Sequence, residues 1–342
     1  MALVGGALLL VAPAASRTAA GEGRCSGELV SPTFGFAVCG QRVFVTRNAR
    51  SWRDVTPPRL GWPIDHVAFI DSLRGWIVTN DCTAGRASVH RTRDGGRTWS
   101  WTPVRSTNCA AGSRHELSFL DGAHGWLVRI EENGNQTELD RTVDGGRRWA
   151  PALRVPLKGP LIFRTTRNGW AGRADFRGWG LWMTVDGGRR WRRQPLTAPA
   201  GWRGGALFPD LPRFFGELRE RGVLVVDLVR REHRGVAFYV TSDRGRHWAV
   251  RAIRRVEFPI VKRLNPFVHY VPFSVATPSA WWLFITPRTI AVTTDAGRRW
   301  RVSRVPTRGK LTAADGRHAW LSGGRLFRTS DGGQTWQKLA PP

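Results

Sequence analysis

The sequence predicts an all-β, seven-bladed β-propeller whose most conspicuous motif is a folding device and not an active site. Three observations carry this expectation. An octet recurs at the spacing of a propeller blade, an aromatic motif keeps step with it, and the composition favours short strands and tight turns. The 342 residues include 39 Gly, 21 Pro, 18 Trp and 16 Phe. Aromatic and β-branched residues suit strands, and Gly and Pro suit the turns between them.

The octet first reads Thr92-Arg93-Asp94-Gly95-Gly96-Arg97-Thr98-Trp99. It returns with Asp144 and Trp149, with Asp186 and Trp191, and with Asp243 and Trp248. The last two copies carry Asp295 and Trp300, then Asp331 and Trp336. A worn copy runs from Thr46 through Asn48 to Trp52, one residue short and without Gly. The Asp positions step by 50, 42, 57, 52 and 36 residues, and Asn48 to Asp94 adds 46. Such periods match a four-stranded blade of about 40–50 residues.

The second motif precedes each octet. It reads Gly35-Phe36-Ala37-Val38, Gly75-Trp76-Ile77-Val78, Gly125-Trp126-Leu127-Val128 and Gly169-Trp170-Ala171. Ala280-Trp281-Trp282-Leu283 and Ala319-Trp320-Leu321 play the same part later, and Gly222 to Val226 stands in without the aromatic. The second repeat shows the expected strands: 67–70, 75–79, 87–92 and 98–104, with breaks of Gly, Asp and Arg between them.

Each letter of the octet has a physical reason at a hairpin turn between the third and fourth strands. The Asp carboxylate can accept several backbone N–H groups. Gly supplies positive φ where a Cβ would clash. Thr is β-branched and suits the strand that leads in. Trp offers a large apolar face and an indole N–H.

These residues resemble the Asp-box, or bacterial neuraminidase repeat, family. The closer resemblance is to the subgroup of propellers like the photosystem II assembly factor. It covers residues 25–342. The resemblance implies a propeller with its boxes at the periphery, away from the central binding face. It says little about function, because hydrolases, receptors and assembly factors share the box.

A sialidase-like hydrolase would need an arginine triad, a Tyr/Glu pair and an Asp acid. The string nearest its first arginine motif is Phe163-Arg164-Thr165-Thr166, which lacks the expected Ile-Pro. The only tyrosines are Tyr239, on a strand expected to pack in the core, and Tyr270. A glycosidase with two working carboxylates would need a facing Asp/Glu pair that no spacing here reveals. No H-E-x-x-H, G-x-S-x-G or Walker pattern occurs, and a lone turn carboxylate falls short of the oxygens calcium needs. No catalytic residue, metal or cofactor is therefore expected.

Binding is the expected role, with a protein or an anionic cell-envelope polymer as partner and the chain acting as a monomer. The formal net charge is +27, and 49 of the 53 basic residues are Arg. Nucleic acid is disfavoured because Arg is spread over every repeat and no nucleic-acid-binding motif appears. GC-rich coding would produce the same Arg excess without a binding face. The long fifth repeat and the segment after it supply the candidate partner-binding set: Arg219, Arg221, Arg230, Arg231, Arg234, Arg254, Arg255 and Arg263.

Residues 1–20 read as a secretory signal, with an apolar run from Leu3 to Ala12 and an A-x-A-like site at Ala12-Pro13-Ala14. Residues 21–342 then form one propeller domain. The four cysteines lie in the first third, and an even count in an exported chain implies two disulfides. The favoured pairs are Cys25–Cys39 and Cys82–Cys109, each closing a local loop.

Overall fold

The computed structural model describes residues 25–340 except 49, 111, 132–136, 156–159, 173, 176–177 and 259–270. Among the described residues there is no helix; seven antiparallel blade sheets follow one another along the chain, with a separate two-stranded ribbon, Ala174–Asp175 paired with Gly178–Trp179, inside the fourth. The blades span 25–54, 64–104, 114–155, 161–194, 206–255, 273–304 and 310–338. The expected leader, residues 1–20, lies outside the described residues.

Blade 2 is typical. Its strands are Ile64–Phe69, Gly75–Asp81, Arg86–Thr92 and Ser100–Val104, paired in sequence order. The sequence placed all four within a few residues. In blades 2 and 3 the second strand is the most buried: Gly75 to Asn80 are all buried, as are Gly125 to Ile130. The outer strand is largely exposed.

The glycine that opens the second strand faces an aromatic ring. Phe69 pairs with Gly75 and Phe119 with Gly125. A Cβ at either glycine would come within 2.3 Å of that ring. Blade 7 has Ala319 in this place, and its cross-strand partner is the small Ala313. The Gly-to-Ala change along the repeats thus follows the size of the residue opposite.

Blade 5 owes its length to two features. Its second strand, Arg221–Arg230, has 10 residues. Its innermost strand is split into Ala206–Pro209 and Arg213–Phe215, both paired with that long strand. The break falls between Pro209 and Pro212, neither of which can donate to a ladder.

Adjacent blades are joined by aromatic stacks. Trp76 of blade 2 stacks on Phe119 of blade 3, which meets the octet Trp149 edge-on. Trp126, Phe163 and Trp191 repeat the arrangement between blades 3 and 4. Trp170, Phe214 and Trp248 repeat it once more with tilted rings. Much of the tryptophan content has this recurring place to go.

Among the described residues the ring closes without a shared strand. Blade 1 comes wholly from the first strands and blade 7 wholly from the last. Ser322 of blade 7 accepts from Gly27 N at 3.1 Å and donates to Gly27 O at 3.2 Å. Thr312 Oγ1 accepts from Leu29 N, and Lys310 pairs with Glu28 at 2.6 Å. The inner edge of blade 1 would otherwise present unpaired amides. Disulfides Cys25–Cys39 and Cys82–Cys109 are present, as the favoured pairing anticipates.

Candidate functional site

The octets come first because they are the loudest sequence signal. Each sits at the hairpin between the third and fourth strands. In blade 2 the Thr92 hydroxyl donates to Asp94 Oδ1 and accepts from Gly96 N, both at 2.8 Å. Asp94 Oδ1 also accepts from Arg97 N and Thr98 N, and Oδ2 accepts from the Thr98 hydroxyl. The hydrogen bonds from Thr98 hold this carboxyl far below the usual carboxylate range. The same Thr–Asp and Gly–Thr bonds recur around Asp144, Asp186, Asp243, Asp295 and Asp331. The worn copy uses Asn48 Oδ1 in the same way toward Arg50 N and Ser51 N. The threonine is therefore a hydrogen-bonding element, a role its β-branching alone did not reveal.

A further bond ties each octet to its own blade. The residue after Asp donates its N–H to the turn between the first and second strands. Gly95 N reaches Leu73 O, Gly145 N reaches Ala123 O and Gly187 N reaches Arg167 O. Arg244, Ala296 and Gly332 do the same toward Glu220, Ser279 and Arg317. These carboxylates and amides are engaged in hydrogen bonds within the turns. Four of the indoles are engaged at the turns: Trp99 donates to Val55 O, and Trp191, Trp300 and Trp336 each donate to the carbonyl of their own octet glycine.

The axis of the ring is a second candidate. Inner-strand residues from separate blades meet there electrostatically: Glu28, His66, Glu116, Arg213 and Lys310. Burial pushes the Glu28 carboxyl up, but Lys310, with His66 and Arg213 behind it, outweighs that and leaves it lowered. Burial holds the His66 imidazole below its ordinary value, against the pull of Glu116, Glu28 and Asp65. His66 Nδ1 accepts from Leu117 N at 3.4 Å, which requires the neutral ring with its proton on Nε2. Glu116 pairs with Arg114 at 2.9 Å. His115, fully enclosed, bonds Asp65 Oδ2 and Arg105 O through its two ring nitrogens. Sequence spacing could not assemble this group, since Lys310 and Glu28 lie at opposite ends of the chain.

Both axial glutamates have basic partners. Glu28 is held by Lys310 and Glu116 by Arg114. Tyr239 is buried, donates to Thr197 O at 2.7 Å and is pushed up to about 12 by burial. Its core placement agrees with the sequence reading. Tyr270 and Arg263 lie outside the described residues. Among the described residues no group of three or more His, Cys, Asp or Glu side chains could hold a metal ion, and no helix is long and apolar enough to cross a membrane.

The third candidate lies where the second and third strands of blade 5 meet. A cavity of about 360 Å³ is lined by Ala200, Gly201, Trp202, Arg230, His233 and Arg255. Arg230 is half-exposed and donates to Gly201 O at 3.0 Å. His233 and Arg255 are exposed, and Trp202 forms a buried floor. No carboxylate lines it. Arg231 stands exposed on the adjoining turn with φ +53°.

The remaining predicted arginines are dispersed. Arg234 is buried in an ion pair with Asp227 and presents no free charge to solvent. Arg254 lies over the Trp300 ring at 5.1 Å. Arg219 and Arg221 sit at the far end of the long strand, Arg221 near Glu220 at 3.8 Å. Of the predicted set, only Arg230 and Arg255 share the cavity. His233 and Trp202 were missed, because their proximity follows from hairpin register and a loop from the preceding blade.

No protein-family profile matches the sequence, and no curated protein matches it. Solved structures do. A Listeria monocytogenes protein, lmo1340, is similar over 91% of this chain and 92% of its own, at 8% identity with a TM-score of 0.59. YCF48 bound to a D1 peptide is 21% identical over 80% of this chain and 81% of its own, with a TM-score of 0.48. A GH74 enzyme from Niastella koreensis is 13% identical over 92% of this chain and 61% of its own, with a TM-score of 0.35. The likeness to the Listeria protein is one of overall fold.

Proposed function

We propose that the protein is a non-catalytic binding propeller that holds an acidic segment of a partner protein against the blade 5 cavity. The observation that carries this reading is the cavity itself: two arginines, an exposed histidine and a tryptophan floor, with no carboxylate lining it. Planar guanidinium groups favour carboxylates with two-point hydrogen bonding. An indole floor adds apolar area where the segment carries a hydrophobic side chain. A scaffold or assembly role follows for a ring whose octets and axial carboxylates are already engaged. The octet hydrogen bonding supports a place among Asp-box propellers. The two disulfides support an exported protein, with residues 1–20 as its leader and 21–342 as a single domain.

The test is fluorescence anisotropy with a labelled Glu/Asp-rich peptide containing one Trp, at physiological salt. Exchanging Arg230 and Arg255 for Ala should weaken binding at least tenfold and flatten its salt dependence. Unchanged affinity in that double variant would sink the reading. Equal affinity for heparin, with the same loss on mutation, would reassign the cavity to an anionic polymer. Turnover of fluorogenic glycosides would restore the hydrolase alternative.

A further inference from the structure

The turns at the other end of blade 5 gather four arginines without an acidic partner. The long strand Arg221–Arg230 separates this end from the cavity by roughly 30 Å of strand rise. Arg164 follows the innermost strand of blade 4, Leu161–Phe163. It is only 9% exposed. Its NH1 makes one long bond, 3.4 Å, to Leu218 O, and its guanidinium lies 5.9 Å from the Phe214 ring centre. Its Nε is buried and has no acceptor among the described residues. A buried charged donor left in that state is costly and calls for a missing partner.

The surroundings sharpen the point. Arg219 donates to Arg164 O at 3.4 Å and to Leu120 O at 2.7 Å, and so spans blades 3, 4 and 5. Arg244 is pinned by its N–H to Glu220 O at 2.9 Å. Both Arg219 and Arg244 hold positive φ, at 50° and 66°, in a region non-glycine residues avoid. Burial first, then the like charges of Arg244, Arg219 and Arg246, lowers the Arg164 guanidinium pKa. Among the described residues no carboxylate forms an ion pair with Arg164. Glu220 leans toward Arg221, and Glu217 is exposed on the same turn.

We propose that Arg164, Arg219, Arg244 and Arg246 form a binding site for a single small oxyanion group, a carboxylate or a tetrahedral oxyanion, seated between the turns of blades 4 and 5. Such a group supplies the acceptor that Arg164 Nε lacks and offsets the like charges of its arginine neighbours. This site is independent of the blade 5 cavity, so either assignment can fail alone.

Thermal unfolding of the whole protein tests it, with sulfate, phosphate and acetate titrated against chloride at matched ionic strength. A saturable rise in Tm with an oxyanion, absent with chloride, is expected. The variant carrying Arg244→Gly and Arg246→Ala should fold normally, because φ 66° suits glycine and Arg246 is exposed. Its half-saturating concentration should rise at least tenfold. Arg164→Gln should abolish saturation. A stronger response to acetate identifies a carboxylate-bearing ligand, and a stronger response to sulfate and phosphate a tetrahedral one. An equal response to chloride, or an unchanged half-saturation in the double variant, overturns the proposal.

Discussion

The indole of Trp76 and the ring of Phe119 stack across the boundary between blades 2 and 3, with centroids 3.6 Å apart and planes 9° from parallel. Trp76 also donates its N–H to Gly145 O of the blade 3 octet at 2.9 Å. One side chain thereby joins the second strand of one blade to the inner strand and the turn of the next. Trp76→Ala should cost about 3–5 kcal/mol in urea unfolding followed by circular dichroism. A loss under 1 kcal/mol would mean that the stack contributes little to blade cohesion.

The octet carboxylates make stability pH-dependent. Burial raises Asp331, but hydrogen bonds from Thr335, Thr329 and Gln334 outweigh it and hold it at about 2. Asp243 is likewise held at about 2, with bonds from His247 and Thr241 overcoming its burial. A folded value below the unfolded one gives stability that is full above about pH 4 and is lost as pH falls toward 2. Melting temperature should fall through that window. Asp331→Asn should make the fall shallower, and an identical acid profile in that variant would refute the assignment.

Adjacent octet positions should respond to substitution with opposite signs. Ala296 holds φ +57°. Ala296→Gly relieves that conformation and should leave the protein between zero and about 1 kcal/mol more stable. Gly297 holds φ +82°, and a Cβ there would lie 2.5 Å from Ala252 Cβ. Gly297→Ala should cost more than about 1 kcal/mol. Equal effects at the two positions would contradict the geometry.

The disulfides predict a covalent result. Alkylation of unfolded, unreduced protein followed by mass spectrometry should label no cysteine. Exchanging Cys82 and Cys109 together for Ser should cost about 2–4 kcal/mol, since the bridge closes a 27-residue separation. Four labels would show reduced thiols instead.

The blades were legible because their signals are local and repeated. Asp, Gly and Trp positions in the octets fixed the phase, and the Gly-Trp motif located each second strand. The octet position after Asp is Arg244 in blade 5 and Ala296 in blade 6, both at positive φ. The next is Gly in all six full copies, where neighbouring side chains leave no room for a Cβ. The axial cluster was not legible. Glu28, His66, Arg213 and Lys310 meet only after the ring closes. Nor does composition reveal which arginines stay free: Arg234 looks like its neighbours in sequence, yet the hairpin brings it onto Asp227.

The Ser322–Gly27 clasp has an evolutionary corollary. Among the described residues each blade is built from consecutive strands, and side chains of blade 7 fasten it to blade 1. The position of a blade along the gene is thus uncoupled from its position around the ring. Whole modules can be duplicated, exchanged or rotated in order without dismantling a composite sheet. Selection need only preserve one fastening wherever the circle happens to be cut.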